Sequence, residues 1–356
     1  MRTYWPALFS TKLPHWLAIG WLGLVVLAGL ASPLLPLPYP PTTPDLLHIA
    51  APPTWSGSGP LHYLGTDPTG RDVLAELLFG ARQLLLLSLP AAVGATLLGA
   101  LAGAAAGFWG NRGLAIPWGI ALAAIAATWW VAALPHRLIV FFIVFIISIL
   151  SLKSNSWRPL RLVGRLGTAK LFLPLDSLVL GSATLLSAVP RLVLIVALAA
   201  GPPLGAGALL ALLLLMAWPD AARLVRAQML RVRAQPFVEA AWAAGLPARR
   251  IWWRHALPHA CAPLWAFAPL SVAGLIGLES TLAFLGIGLL PTTSSWGRLL
   301  GTLPQEPTAW WLAIGPGLAL LFTLLALQRL AYWLSARQRF ELPAPKQSID
   351  VTNDNT

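Results

Sequence analysis

The 356-residue chain is 57% hydrophobic and only 10% charged, yet it carries a net charge of +12. Soluble domains hold about 25% charged residues, so most of this surface does not meet water and an ordinary soluble domain is excluded. The basic excess would point to nucleic acid in a soluble protein, but in a membrane protein it collects in cytoplasmic loops, and no nucleic-acid partner is expected. Apolar runs long enough to cross a bilayer recur along the chain, which reads as an all-α polytopic membrane protein in contact with lipid. Its 18 Trp suit membrane interfaces. Cys261 is the single cysteine, so no internal disulfide forms. No C-x-x-C, H-E-x-x-H or G-x-x-x-x-G-K-[ST] motif occurs, and neither a metal nor a nucleotide site is expected on this chain.

The first apolar run is 16–35, preceded by Arg2 and Lys12. It suffices as a span, although Gly29-Leu30-Ala31 also offers a signal-peptidase site, the competing reading. Residues 1–36 are thus the N-terminal segment and first transmembrane helix, and 37–83 an external loop, Pro-rich from Leu37 to Pro60. The second span, 84–109, carries Gly99, Gly103 and Gly107 at four-residue spacing, a seam for close helix approach in a transport path or in plain bundle packing. Runs 114–134 and 138–152, joined by Pro135-His136-Arg137, predict a helical hairpin, its second half β-branched and suited to lipid. Lys153, Arg158, Arg161, Arg165 and Lys170 then mark a cytoplasmic loop, where anionic lipid is a further candidate contact. Spans follow at 178–200, 204–221, 264–288 and 309–333. Arg223, Arg226, Arg231 and Arg233 mark a second cytoplasmic loop, with Asp220 an interfacial ion-pair partner for Arg223. Arg329, Arg337, Arg339 and Lys346 place the C-terminus inside, and the tail, 336–356, is polar and predicted disordered from Pro343. Eight crossings with both termini in the cytoplasm put every arginine-rich loop on one side.

The loop 223–258 contains "FVEAAWAAGLPARRIWWRHALP", too charged to cross and too apolar for an ordinary loop. Glu239, Ala240, Ala241, Ala243 and Ala244 favour helix. Gly245 ends it, and Pro247 opens a second helix from Ala248 to Ala256, stopping near Leu257-Pro258. Two short helices joined at a glycine cannot span, but they can present an end to a partner. A solvated loop is the plainer alternative for Glu239.

Glu239-Ala240-Ala241, Gly245 four residues on, and the closing Leu257-Pro258 resemble the EAA loop of ABC-transporter permeases. "LGTDPTGRDVLAELLFGAR" (64–82), "GLESTLAFLGIGLLPTTSSWGRLL" (277–300) and "WWLAIGPGLALLFTLLALQRLA" (310–331) resemble motifs of the C-type subunit in its dipeptide/oligopeptide/nickel branch. The likeness covers roughly 15–110 and 177–335. It implies a type I ABC importer transmembrane domain of about eight helices. Its permease part is 84–110 and 177–335, and 111–176 is an inserted hairpin and basic loop. Implied partners are a homologous second permease, ABC ATPase subunits that bind ATP-Mg, and an extracytoplasmic substrate-binding protein at a bacterial inner membrane. The coupling residues would be Glu239, Ala240, Ala241, Gly245, Leu257 and Pro258. Gly65, Asp67, Gly70, Arg71 and Asp72 would form an outer mouth or binding-protein contact, or a local turn network. Glu279 is an acid inside an apolar span, hence a pathway or gating candidate. It is also the ion relay that a secondary transporter, the rival reading, would need. The family's own E-x-x-L-x-F-L-G pattern makes packing equally open. A membrane-embedded enzyme, the third reading, lacks a Ser/His/Asp or metal constellation. Departures from the family pattern are His259, Gln328, Ala331-Tyr332, and Ala75-Glu76 where Ser-Arg is common. They bear on the substrate, for which peptides are the default and nickel or opines the alternatives.

Overall fold

The computed structural model describes residues 15–41, 43–54, 62–111, 115–117, 170–172, 174–188, 190, 193, 205–287, 290 and 292–341. Among them, four helical stretches are long and apolar enough to cross a membrane: Val73–Trp109, Ala206–Arg233, Leu264–Phe284 and Trp311–Arg337. Helix α1 (His15–Ala31) is apolar but shorter. Helix α2 (Val73–Gln83) runs through a π-helical turn, Leu84–Ser88, into α3 (Leu89–Trp109). Helix α4 is described over Leu175–Ala188, and α5 spans Ala206–Arg233. Two short helices follow: α6 (Pro236–Ala243), then α7, composed of Ala248–Arg250, a π-helical stretch Ile251–Ala256, and Leu257–Ala260. Helices α8 (Leu264–Phe284), α9 (Trp296–Thr302) and α10 (Trp311–Glu341) complete the order.

Several elements differ from the sequence expectation. The helix expected to start at 84 starts at Val73, because Asp72 caps it: its carboxylate accepts the Ala75 N–H at 2.9 Å. Helix α5 continues past 221 to Arg233, so Arg223, Arg226, Arg231 and Arg233 sit on a helix end rather than in a loop. Their stretch is rich in helix formers, and Arg231 and Arg233 oppose the negative end of the helix dipole. Helix α7 does not stop at Leu257-Pro258 but extends to Ala260. Both π stretches end immediately before a Leu-Pro pair, Leu89-Pro90 and Leu257-Pro258. The wider turn accommodates a proline ring that would collide with the preceding turn of a regular α-helix.

The predicted hairpin, 114–134 and 138–152, and its basic loop lie mainly outside the described residues. At its start, however, Ala115–Pro117 is a strand (β1) and not helix; it pairs antiparallel with Lys170–Phe172 (β2), Ala115 opposite Phe172. Pro117 disfavours helical backbone at Ile116. Beside this pair, the Asn111 side chain bonds both the backbone N–H and the hydroxyl of Ser177, each at 3.0 Å.

Among the described residues, helices α3 and α5 make the closest pairing of the bundle. A Cβ on Gly99 or Gly103 would strike the α5 backbone at Trp218 and Ala222, and one on Gly107 would lie 2.9 Å from Met229. Removing three side chains lets the backbones meet, as small residues do in membrane bundles. At the arginine-bearing end, Arg233 donates to the Phe108 carbonyl (3.0 Å), and Arg226 holds Asp176 of α4 through two nitrogens. His15 of α1 stacks on Trp333 of α10, ring centres 5.5 Å apart. The start of α1 thus lies beside the basic end of α10.

Candidate functional site

At the basic end, α6 and α7 fold against the α3–α5 pair. Val238, Ala241, Ile251, Trp252 and Ala256 turn inward onto Ala104, Phe108, Val225 and Met229. What remains outside is the loop's other face: Glu239, Ala240, Trp242, Ala243, Ala244, Gly245, Arg249, Arg250, Trp253 and Arg254 are exposed. The inward stripe is spaced for helix, and it fixes how the knob sits. Gly245 closes α6 in a left-handed conformation, φ +73°. Its N–H donates to the Trp242 carbonyl (3.0 Å) and that of Leu246 to Ala241 (3.2 Å), a C-cap suited to glycine. Among the described residues, nothing lies within 4 Å of where a Gly245 Cβ would stand. Of the residues singled out from the sequence, Glu239, Ala240 and Gly245 therefore share one open end. Ala241 is buried against the bundle, and Leu257 and Pro258 lie at the far end of α7. Half-burial pushes the Cys261 thiol above its usual range.

At the opposite end, the motif Gly65 to Asp72 forms a closed turn. The Asp67 carboxylate is buried and accepts from the Thr69 N–H, the Thr69 hydroxyl and the Arg71 N–H, at 2.7–2.8 Å. Gly65 and Gly70 have φ near +78° and +79°, and the carbonyls of Ala51 and Asp45 crowd the places their Cβ atoms would take. Asp72 caps α2 with one oxygen and meets His62 Nδ1 with the other at 3.0 Å. His62 is buried, faces Tyr39 at 4.4 Å between ring centres, and turns Nε2 toward Asp45 at 3.5 Å. Hydrogen bonding to His48 is the main cause that holds the Asp45 carboxyl below the usual carboxylate range. The acidic side chains of this motif are thus spent on shaping the turn.

Helix α9 joins two buried acids. Ser295, just before it, donates to Glu279 of α8 at 3.0 Å. Trp296 donates its indole N–H to the Leu77 carbonyl of α2 at 2.8 Å. Arg298 reaches Glu76 of α2 at 2.6 Å, and Arg71 approaches the same oxygen at 3.4 Å. Glu76 is fully buried, and among the described residues its other oxygen has no partner. Gly297 and Gly301 let α9 lie against the α8 backbone at Ser280 and Phe284. Glu279 is buried, with Ser295 on one oxygen and Ser280 at 3.5 Å on the other. Sequence reasoning found Glu279, met Glu76 only as a departure from the family pattern, and missed Ser295, Trp296 and Arg298. The available signal was the acid at 76 inside an apolar helix.

Among the described residues, no group of His, Cys, Asp or Glu is arranged to hold a metal ion. Residues 162–340 match the family described as binding-protein-dependent transport system inner membrane component. The chain is 27% identical over 315 residues to a peptide permease protein of Brucella suis biovar 1, covering 86% of this chain and 81% of that one. It is 27% identical over 308 residues to the di/tripeptide transport system permease protein DppC of Pseudomonas aeruginosa, covering 85% and 80%. A second Brucella suis protein, named as a peptide transport system permease, is 29% identical over 308 residues, covering 85% of this chain and 80% of that one. An apolar helical bundle, with a folded knob at its basic end and a family match over half its length, makes this chain a member of the binding-protein-dependent transport system inner membrane components, the permeases of ABC importers.

Proposed function

We propose that this chain forms one half of the path of an ATP-driven importer for peptides, with a homologous permease as the other half. ATPase subunits, which carry the ATP-Mg, dock on the open face of α6 and α7. An extracytoplasmic binding protein delivers substrate at the opposite end. Both termini lie in the cytoplasm, with the arginine-rich helix ends. The observation that carries this reading is the knob itself: Glu239, Trp242, Gly245, Arg249 and Trp253 stand exposed while the other face of the same helices is buried in the α3–α5 pair. Exposed Trp and Arg are the side chains that most often anchor a protein partner. A ligand that shifts a two-state equilibrium must bind the two states differently, and ATP does this on the ATPase. The knob passes the resulting movement to the bundle. The relatives' names support peptides as the substrate class.

The test is a pair of substitutions at Gly245. Gly245→Glu places bulk and charge in the docking face, where this chain leaves open space. Gly245→Asn keeps that face small and accepts the left-handed backbone at little cost. ATP-dependent peptide uptake into vesicles is expected to be lost with Glu and largely kept with Asn. Undiminished uptake with Glu overturns the docking role.

The rival ion-coupled reading rests on the burial of Glu279. Its bond from Ser295, just before α9, supports reading it as a packing or gating tie instead. Glu279→Gln is therefore expected to leave uptake dependent on ATP and insensitive to dissipating the proton gradient. ATP-independent uptake abolished by this substitution would favour the relay.

A further inference from the structure

The long helix Val73–Trp109 changes partners halfway along. Ahead of its π turn, Ala81 and Leu84 pack with Val25 of α1, Trp296 of α9 and Leu327 of α10. Beyond it, Leu87 and Ala91 pack with Ala183 of α4 and with Leu213 and Met216 of α5. The border between the two cores falls inside the turn, between Leu84 and Leu87. A π turn carries an extra residue and has weaker hydrogen-bond geometry than an α turn, and Pro90 supplies no N–H just after it. Among the described residues, the buried Ser88 hydroxyl has no partner that would brace the turn.

Each arm of the helix is fastened to its own body. Helix α2 is tied to α9 by Glu76–Arg298 and by Trp296 on the Leu77 carbonyl. Helix α3 is locked to α5 by the glycine seam, and α6 and α7 pack on that same pair. Helix α8 lies between, with Ala273 and Ile276 in one core and Leu275 and Leu282 in the other.

We propose that Leu84–Ser88 is a hinge. Force on the α6–α7 knob moves α3, α4 and α5 as one unit, while α2 stays with α1, α9 and α10, and α8 is the surface along which the two bodies slide. Bistable packed bodies joined at a few backbone positions are a standard way to amplify a local push. The inference rests on the coupling reading above and names where that coupling bends the chain.

The test uses the whole reconstituted complex, carrying Cys261→Ser. Spin labels at Leu97 on α3 and Leu318 on α10 read the distance between the bodies, and labels at Leu97 and Leu230 read a distance within one; all three positions are exposed. Trapping the ATP-bound state is expected to change the first distance by about 2 Å or more and leave the second unchanged. Deleting Leu86, whose side chain is exposed, removes the extra residue and restores an α turn. Uptake is then expected to fall by at least about fivefold, with the ATPase still bound. An inter-body distance that ATP leaves unchanged in a transporting complex overturns the hinge. Full uptake by the deletion variant does the same. Where that variant does not assemble, the distances in the intact chain decide. An unmodified chain that holds no ATPase overturns the coupling reading, which is a separate result.

Discussion

Glu76 illustrates what a single side chain costs and secures. A fully buried carboxylate is tolerated because Arg298 and Arg71 share one of its oxygens. Removing Arg298 leaves the buried charge to the more distant Arg71 alone, so Arg298→Ala is expected to destabilise the folded chain by about 3 kcal/mol in detergent unfolding. The double change Glu76→Gln, Arg298→Gln removes both charges and is expected to cost less than Arg298→Ala alone. Cys261 gives a second reading at this scale. Its raised, half-buried thiol keeps little thiolate at neutral pH, so alkylation is expected to be slow at pH 7 and to speed up only at a higher pH than an ordinary exposed thiol requires. Asp45 runs the other way. Its lowered value means that its contribution to the outer turn is present above the unfolded carboxylate range and is lost only as pH falls below about 4. None of these environments is readable from composition. Glu76 meets Arg298 from 222 positions away, and only the fold brings them together.

Among the elements, the glycine stripe of α3 was legible in sequence as a seam, because four-residue spacing puts Gly99, Gly103 and Gly107 on one helix face. Its partner was not legible, since small residues specify close approach but not with which helix. Gly103→Leu is expected to break the α3–α5 contact, because its Cβ would meet the Ala222 backbone. Overpacking of this kind costs about 1–3 kcal/mol or more and is expected to lower the yield of folded protein. Gly274→Leu on α8, where no described residue comes within 4 Å of the Cβ, is the matched control and is expected to fold. The helix-turn-helix of the basic loop was visible because propensity, Gly245 and Pro247 agree. The two π turns were not: hydropathy does not distinguish an α turn from a wider one, and Pro90 and Pro258 would ordinarily predict a stop or a kink. The span that begins at Val73 was misplaced for a related reason. Polar Glu76, Arg82 and Gln83 lower its hydropathy while Asp72 caps it.

At the scale of the molecule, the spans at Ala206–Arg233, Leu264–Phe284 and Trp311–Arg337 were legible from apolar length. The division into two cores was not, because α8 contributes to both and no sequence period marks a shared helix. The strand pair β1–β2 has a consequence of its own. Pro117 lies opposite Lys170, so the chain leaves the bundle and returns to it within one strand spacing, about 5 Å. The two ends of the segment 118–169 are thus held side by side, like the stem of a graft. The stem, braced by Asn111 on Ser177, should accept different scions. A compact fluorescent domain with adjacent termini, exchanged for residues 118–169, should leave the importer assembled and its uptake measurable, giving a permease that carries its own lamp.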